Sequence, residues 1–255
     1  MRTRVYVDGL NLYYGALKGT NLKWLNLVEL ARVLLPSTHT IEKLKYFTAP
    51  VSGVVDKTAP SRQQTYISAL KTLPEVQVVK GSFIAKSIWR PVLNLPIANK
   101  AIQAPAPVTL PRGDHVVSNQ QSRILPVGEH HPPGAQRPKR RTRRPPHPNA
   151  VLAEVHTLEE KGSDVNLASH LLNDAWKGLF DVAVVISNDT DLVEPIRMVT
   201  QERNQPVIIV CTSRRMAAGL ASVASRKRYI RKSHLRKAQF PDPLPASRIQ
   251  KPAGW

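Results

Sequence analysis

Apolar positions recur along this chain at two spacings. "RVYVDG", from Arg4, alternates as a strand, and "WLNLVELARVLL" then places Trp24, Leu27, Leu30, Ala31 and Leu34 on one helical face. "IEKLKYFTA" reads as a second strand, "SRQQTYISALKTL" as a helix ended by Pro74, and "VQVVKG" as a third strand. Periodicity then stops and returns at "VLAEVHTLEE", a fourth strand. In the helix "SDVNLASHLLNDAWKG" the apolar residues Val165, Ala168, Leu172 and Ala175 fall in step, with Gly178 just past its end. "DVAVVISN" is a fifth strand, with no polar residue through Val182–Ile186, as expected of a strand covered on both faces. "LVEPIRMVTQERN" is a helix that tolerates Pro195 in its first turn, "PVIIVCT" a sixth strand, and "SRRMAAGLASVAS" the last long helix. Strands alternating with helices predict an α/β fold: a doubly wound, mainly parallel, three-layer sheet.

The interruption is compositional. Between Pro91 and Pro148 lie 12 of the chain's 22 prolines, which remove donors and fix φ. Residues 98–148 are expected to be a mostly irregular insertion in a single domain spanning 1–240, with 241–255 as a C-terminal tail. Its basic run "RPKRRTRR" holds Arg140, Arg141, Arg143 and Arg144, a candidate arm for nucleic-acid phosphates or a solvated loop. Removing that run's six cations from the net charge of +19 still leaves +13 (19 − 6), so the basic character belongs to the whole chain. The "SRKRYIRKSHLRK" stretch is read as a basic final helix and tail. A polyanion, RNA ahead of DNA, is the expected partner, and a homodimer is open to the chain. No signal-peptide pattern or membrane-length apolar run is visible, and the single cysteine, Cys211, reads as a buried strand thiol. A cytoplasmic setting without membrane contact is expected.

The acids change the picture further. In a parallel sheet all strand C-termini share one edge, where ligand sites form. Asp8 ends the first strand, Asp189 and Asp191 follow the fifth, and Asp164 opens the helix after the fourth. Carboxylates gathered there repel, and an all-oxygen donor set suits Mg²⁺ or Mn²⁺. Singly, Asp164 reads equally well as a first-turn acid and Asp191 as a helix cap. Asn11 and Asn188 could donate to a water or phosphate, and Glu159 and Glu160 are weaker candidates. Lys161, Arg214 and Arg215 could contact phosphate, the last two with Ser213 at the start of the last helix.

"YVDGLNLYYG", "YFTA", "EEKGSDVNLASHLLNDA" and "DVAVVISNDTDLVEPI", in this order, resemble the NYN domain family, whose fold is similar to PIN and FLAP-type nucleases. The resemblance covers most of residues 1–97 and 150–240. It implies a Mg²⁺-dependent, endoribonuclease-like hydrolase with Asp8, Asp164, Asp189 and Asp191 as metal ligands or water-positioning acids. Asn11 and Asn188 would be their polar supports. The expectation is metal-assisted hydrolysis of an RNA phosphodiester leaving a 5′-phosphate; the alternative is a non-catalytic RNA-binding module on the same fold. A Toprim-like domain expects Glu where Asp8 stands, and a haloacid-dehalogenase-like phosphatase expects Asp-x-Asp on its first strand.

Overall fold

A computed structural model describes residues 1–53, 56–92, 124–126, 151–245 and 247–255. The expected basic arm, with Arg140, Arg141, Arg143 and Arg144, lies outside the described residues. Chain contacts divide the protein into two compact units, one of Met1–Val51, Thr58–Ser82 and Glu160–Trp255, the other of Ser52–Lys57 and Phe83–Glu159.

In the first unit, β1 (Arg2–Asp8), β2 (Thr40–Thr48), β3 (Val76–Lys80), β7 (Val182–Ile186), β8 (Val207–Cys211) and β9 (Arg226–Tyr229) form a six-stranded sheet ordered β3-β2-β1-β7-β8-β9. Every pairing is parallel, and Val5 lies between Leu44 of β2 and Val184 of β7. The α/β expectation holds. From β1 the chain builds outward through β2 and β3, then resumes on the other side with β7, so the winding reverses at the β1–β7 boundary.

In the second unit, β4 (Ser82–Val92), β5 (Ile124–Pro126) and β6 (Val151–Lys161) make a three-stranded sheet ordered β4-β6-β5. The expected fourth strand, β6, is therefore a strand but not a member of the main sheet. Its alternation specifies extended backbone, which does not choose between partners far apart in sequence.

Helices cover both faces of the main sheet. These are α1 (Gly9–Leu12, continued by wider π turns over Tyr13–Leu17), α2 (Leu27–Leu34), α3 (Ala59–Leu70), α4 (Ser163–Trp176), α5 (Val193–Arg197), α6 (Ala218–Val223) and α7 (Lys232–Lys237). α2 starts where the Asn26 side chain accepts hydrogen bonds from the Val28 and Glu29 amides at 3.0 and 3.1 Å, satisfying two otherwise orphaned donors. Its apolar stripe packs with Val5, Val7, Leu44 and Val184 on one face of the sheet. On the other face Leu167 and Leu171 of α4 pack with Tyr6, Phe47, Val185 and Ile209. All five residues of β7 are buried, as expected for a strand covered on both sides.

Three local expectations are corrected. The buried stripe of α4 is Ser163, Leu167, Leu171, Asp174 and Ala175, whereas Val165 is exposed. The last long helix shrinks to α6, and Ser213, Arg214 and Arg215 lie in the loop before it. "RKRY", expected in a helix or tail, is the edge strand β9. The terminal segment also packs inward: Leu244 is buried, and the Trp255 ring lies 5.6 Å from that of Tyr66. Among the described residues no helix is long and apolar enough to cross a membrane.

Candidate functional site

The winding reversal at β1 and β7 sets the site. Asp8, the last residue of β1, is only 5% exposed, and both of its carboxylate oxygens are engaged. Oδ1 accepts the Asn11 amide at 2.9 Å and so caps α1, while Oδ2 accepts the Ser187 hydroxyl at 2.9 Å from the end of β7. The same Ser187 oxygen accepts the Asp189 amide at 3.0 Å. Asp189 in turn caps the following 3₁₀ turn, its Oδ1 accepting the Asp191 amide at 3.0 Å. Asp164 arrives from the first turn of α4, which Gly162 immediately precedes as the N-cap residue. That glycine has φ of 91°, a left-handed conformation that side chains rarely adopt.

Asp8, Asp164 and Asp189 each offer a carboxylate oxygen within 4.8 Å of the others, close enough to share a cation or a hydrogen-bond donor. Asp191 is outside this trio and exposed. The cap read for Asp191 belongs to Asp189, while Asp164 is, as read, a first-turn acid of its helix. Asp164 shows the cost of the arrangement: burial, then the charges of Asp189 and Asp191, push its carboxyl above the usual range. Its place at a helix N-terminus would favour ionisation, so crowding and desolvation win.

This has a measurable consequence. A carboxyl raised on folding contributes stability that is complete below its unfolded pKa and lost as pH rises through the folded value. Asp164→Asn is therefore expected to raise Tm at pH 7 by roughly 2–4 °C. The gain should vanish below about pH 4, where the wild-type carboxyl is protonated in both states. Calorimetry at the two pH values checks this, and a lower Tm at pH 7 would contradict it.

Asn11 and Asn188 turn inward to the protein and organise loops. Asn11 Oδ1 accepts the Asn188 amide at 3.0 Å and the Thr212 hydroxyl. Asn188 Nδ2 donates to Ser213 Oγ at 2.8 Å and to the Arg215 carbonyl at 3.1 Å, while its Oδ1 accepts the Ala217 amide at 2.9 Å. Asn188 thus spends its side-chain amide within the protein, and both asparagines hold the loops after β1, β7 and β8 in place. Arg214 and Arg215 are exposed on the last of these loops, and Lys161 is exposed at the end of β6.

Sequence reasoning missed Ser187, Thr212 and Tyr46. Tyr46 of β2 is buried near Asp8; burial pushes its phenol up to about 12, with a Thr48 hydrogen bond lowering it and the Asp8 charge raising it. A Cβ on Gly9 would lie 2.7 Å from the Phe47 carbonyl oxygen and from the Tyr46 ring, so only glycine fits there. The signal available was position: Ser187 and Thr212 directly follow β7 and β8, as Asp8 ends β1.

No family model matches the chain. Over an alignment of 278 positions it is 28% identical to 6-hydroxy-3-succinoylpyridine 3-monooxygenase HspA of Pseudomonas putida (strain DSM 28022 / S16), covering 100% of this chain and 75% of that protein. A solved structure, a protein of unknown function, VPA0982 of Vibrio parahaemolyticus RIMD 2210633, aligns with a TM-score of 0.46 at 13% identity, covering 91% of this chain and 93% of the other. The relative is by its name a monooxygenase, which overturns the expected RNA-cleaving nuclease and hydrolase. The Mg²⁺ or Mn²⁺ cofactor inferred for that hydrolysis falls with it. So do the phosphodiester-cleaving roles given to Asp8, Asp164, Asp189, Asp191, Asn11 and Asn188. The physical reason is that acceptor-only oxygens at a strand edge suit a substrate's N–H or O–H donor as well as a cation.

Proposed function

We propose that this chain is a monooxygenase acting on a small hydroxylated N-heteroaromatic compound, with its reaction centre at the Asp8–Asp164–Asp189 edge. The observation that carries the reading is similarity over the whole of this chain, and three quarters of the relative, to the 6-hydroxy-3-succinoylpyridine monooxygenase. The site chemistry agrees with it. A ring bearing N–H or O–H donors complements three carboxylates that can only accept when ionised. Asp164, its carboxyl raised above the usual range by burial and its acidic neighbours, suits the role of general base for a ring hydroxyl. Loss of that proton puts charge into the ring and makes its carbon reactive toward oxygen. Asp8, pinned by Asn11 and Ser187, serves to orient the ring.

One oxygen atom enters the substrate and the other leaves as water, so each turnover consumes two electrons and two protons. The electrons must come from a hydride donor or a reduced carrier. A dinucleotide pyrophosphate does not fit the β1–α1 turn: Gly9 closes against Phe47 and Tyr46, and carboxylates face the crevice.

The test supplies the full chain with 6-hydroxy-3-succinoylpyridine, ¹⁸O₂ and NADH, NADPH or photoreduced flavin in turn. Substrate-dependent oxygen uptake with one ¹⁸O atom in the product is expected, and Asp164→Asn should slow it by about 100-fold. Absence of label with every reductant, from folded protein, would sink the proposal.

A further inference from the structure

A groove of about 450 Å³ is lined by none of the clustered acids. One wall is the C-terminal turn of α2 with Pro36. The other wall is Lys227, Arg228 and Tyr229 of β9 with Arg231 and His234 at α7. The two walls differ in chemistry. Val33, Leu34, Leu35 and Pro36 are all apolar, with Val33 and Pro36 the less buried of them, whereas the stretch from Arg226 to Lys237 contains no acid. Among the described residues Lys227, Arg228 and Arg231 form no ion pair with a carboxylate.

We infer that this groove binds a compact organic anion with an aromatic or alkyl body and one carboxylate. Its volume falls within the range of roughly 300–1,000 Å³ typical of small-molecule sites. The apolar wall and the Tyr229 ring cover the body, and the guanidinium groups offer paired donors to the carboxylate. The C-terminal end of α2 opposes an anion with about half an elementary charge, and three full cations outweigh it. A polyanion such as a phosphate chain would leave the apolar wall uncovered, which is why a small amphipathic anion is the better occupant. The site is independent of the oxygenase reading and lies on other elements.

His234 supplies a local reporter. Its Nδ1 accepts the Arg231 amide at 3.2 Å, and burial, then Arg231 and Lys237, hold the imidazole below its usual range. β9 adds Lys227 and Arg228, and the lining from α2 brings no charge. An anion in the groove offsets these cations and raises the His234 pKa.

The experiment titrates the full chain with 4-phenylbutyrate, its neutral amide and a heparin oligosaccharide, reading amide and imidazole NMR shifts. Saturable shifts confined to residues 33–36 and 227–234 are expected, with the carboxylate tighter than the amide by about tenfold. The Arg228→Gln/Arg231→Gln variant, with an otherwise unchanged spectrum, should weaken the carboxylate by about tenfold and leave the amide's weak binding as it was. A rise in the His234 pKa on saturation supports the same site. Equal affinity for carboxylate and amide, binding of heparin alone, or shifts centred on Asp8 and Asp164 would each overturn it.

Discussion

Asp174→Ala is expected to destabilise the protein by about 3–5 kcal/mol, the cost of stranding buried charge. Asp174 is 2% exposed, and its Oδ2 receives Lys45 Nζ at 2.6 Å, the Tyr6 hydroxyl at 2.7 Å and an Arg4 guanidinium nitrogen at 3.0 Å. Removing the carboxylate leaves a buried ammonium beside a largely buried guanidinium, with His170 Nδ1, 3.1 Å from Lys45, as the remaining neutral partner. Burial pushes the Asp174 carboxyl up, but the hydrogen bonds from Lys45, Tyr6 and Arg4 outweigh it and hold it below the ordinary range. A depressed acid stabilises above its unfolded pKa and loses that contribution as pH falls through the folded value. The wild type should therefore lose stability below about pH 4, and the variant should show less of this dependence. Urea denaturation at pH 7 and pH 3 reads both effects. A loss under about 1 kcal/mol at pH 7 would show that water reaches the network. Asp174→Leu combined with Lys45→Met should recover part of the loss, because it removes the two most buried charges and leaves only the Arg4 guanidinium, whose side chain is 19% exposed.

Trp24→Ala should also cost about 3–5 kcal/mol, and it should release the C-terminal segment before the rest of the fold. Trp24 is 1% exposed and joins distant parts of the chain. Its ring centroid lies 6.3 Å from that of Tyr66 and 5.6 Å from that of Phe240, and its indole N–H donates to the Pro241 carbonyl at 3.1 Å. Its own carbonyl accepts the Phe240 amide at 2.9 Å, and Asn26 donates to the Ala238 carbonyl at 2.7 Å. Truncation opens a cavity and removes the anchor of residues 238–241 together. Limited proteolysis should cut the variant beyond Ala238 while the wild type resists. Equal cleavage of the two proteins would show that Leu244 and Trp255 hold the segment unaided.

The sequence patterns revealed the parts of this fold that local chemistry decides. β1, β2, β3, β7 and β8 are visible as apolar strands, and Asp8 and Asp189 are visible as strand-end acids because parallel topology sends strand ends to one edge. Less could be read where a partner far along the chain decides. The apolar spacing of α4 points to Val165, whereas its buried face includes the charged Asp174, whose burial depends on Arg4 and Lys45, more than 125 residues away. β6 is a recognisable strand, but nothing in its alternation assigns it to a second sheet. "RKRY" has no apolar stripe, since an edge strand need bury little. At the site, the carboxylates were legible and their chemistry was not: acceptor oxygens at a strand edge do not by themselves separate a cation from a donor-bearing substrate, and the contrary indication comes from similarity to a protein named as a monooxygenase.

β9 carries one more consequence. It is the last strand of the six-stranded sheet, so its outer backbone groups could template another chain. A second copy docking its own β9 there would set Arg226, Lys227 and Arg228 against the same three cations. Such a match would be driven apart at low salt, and the sheet is thereby guarded against growing into a ribbon from this side.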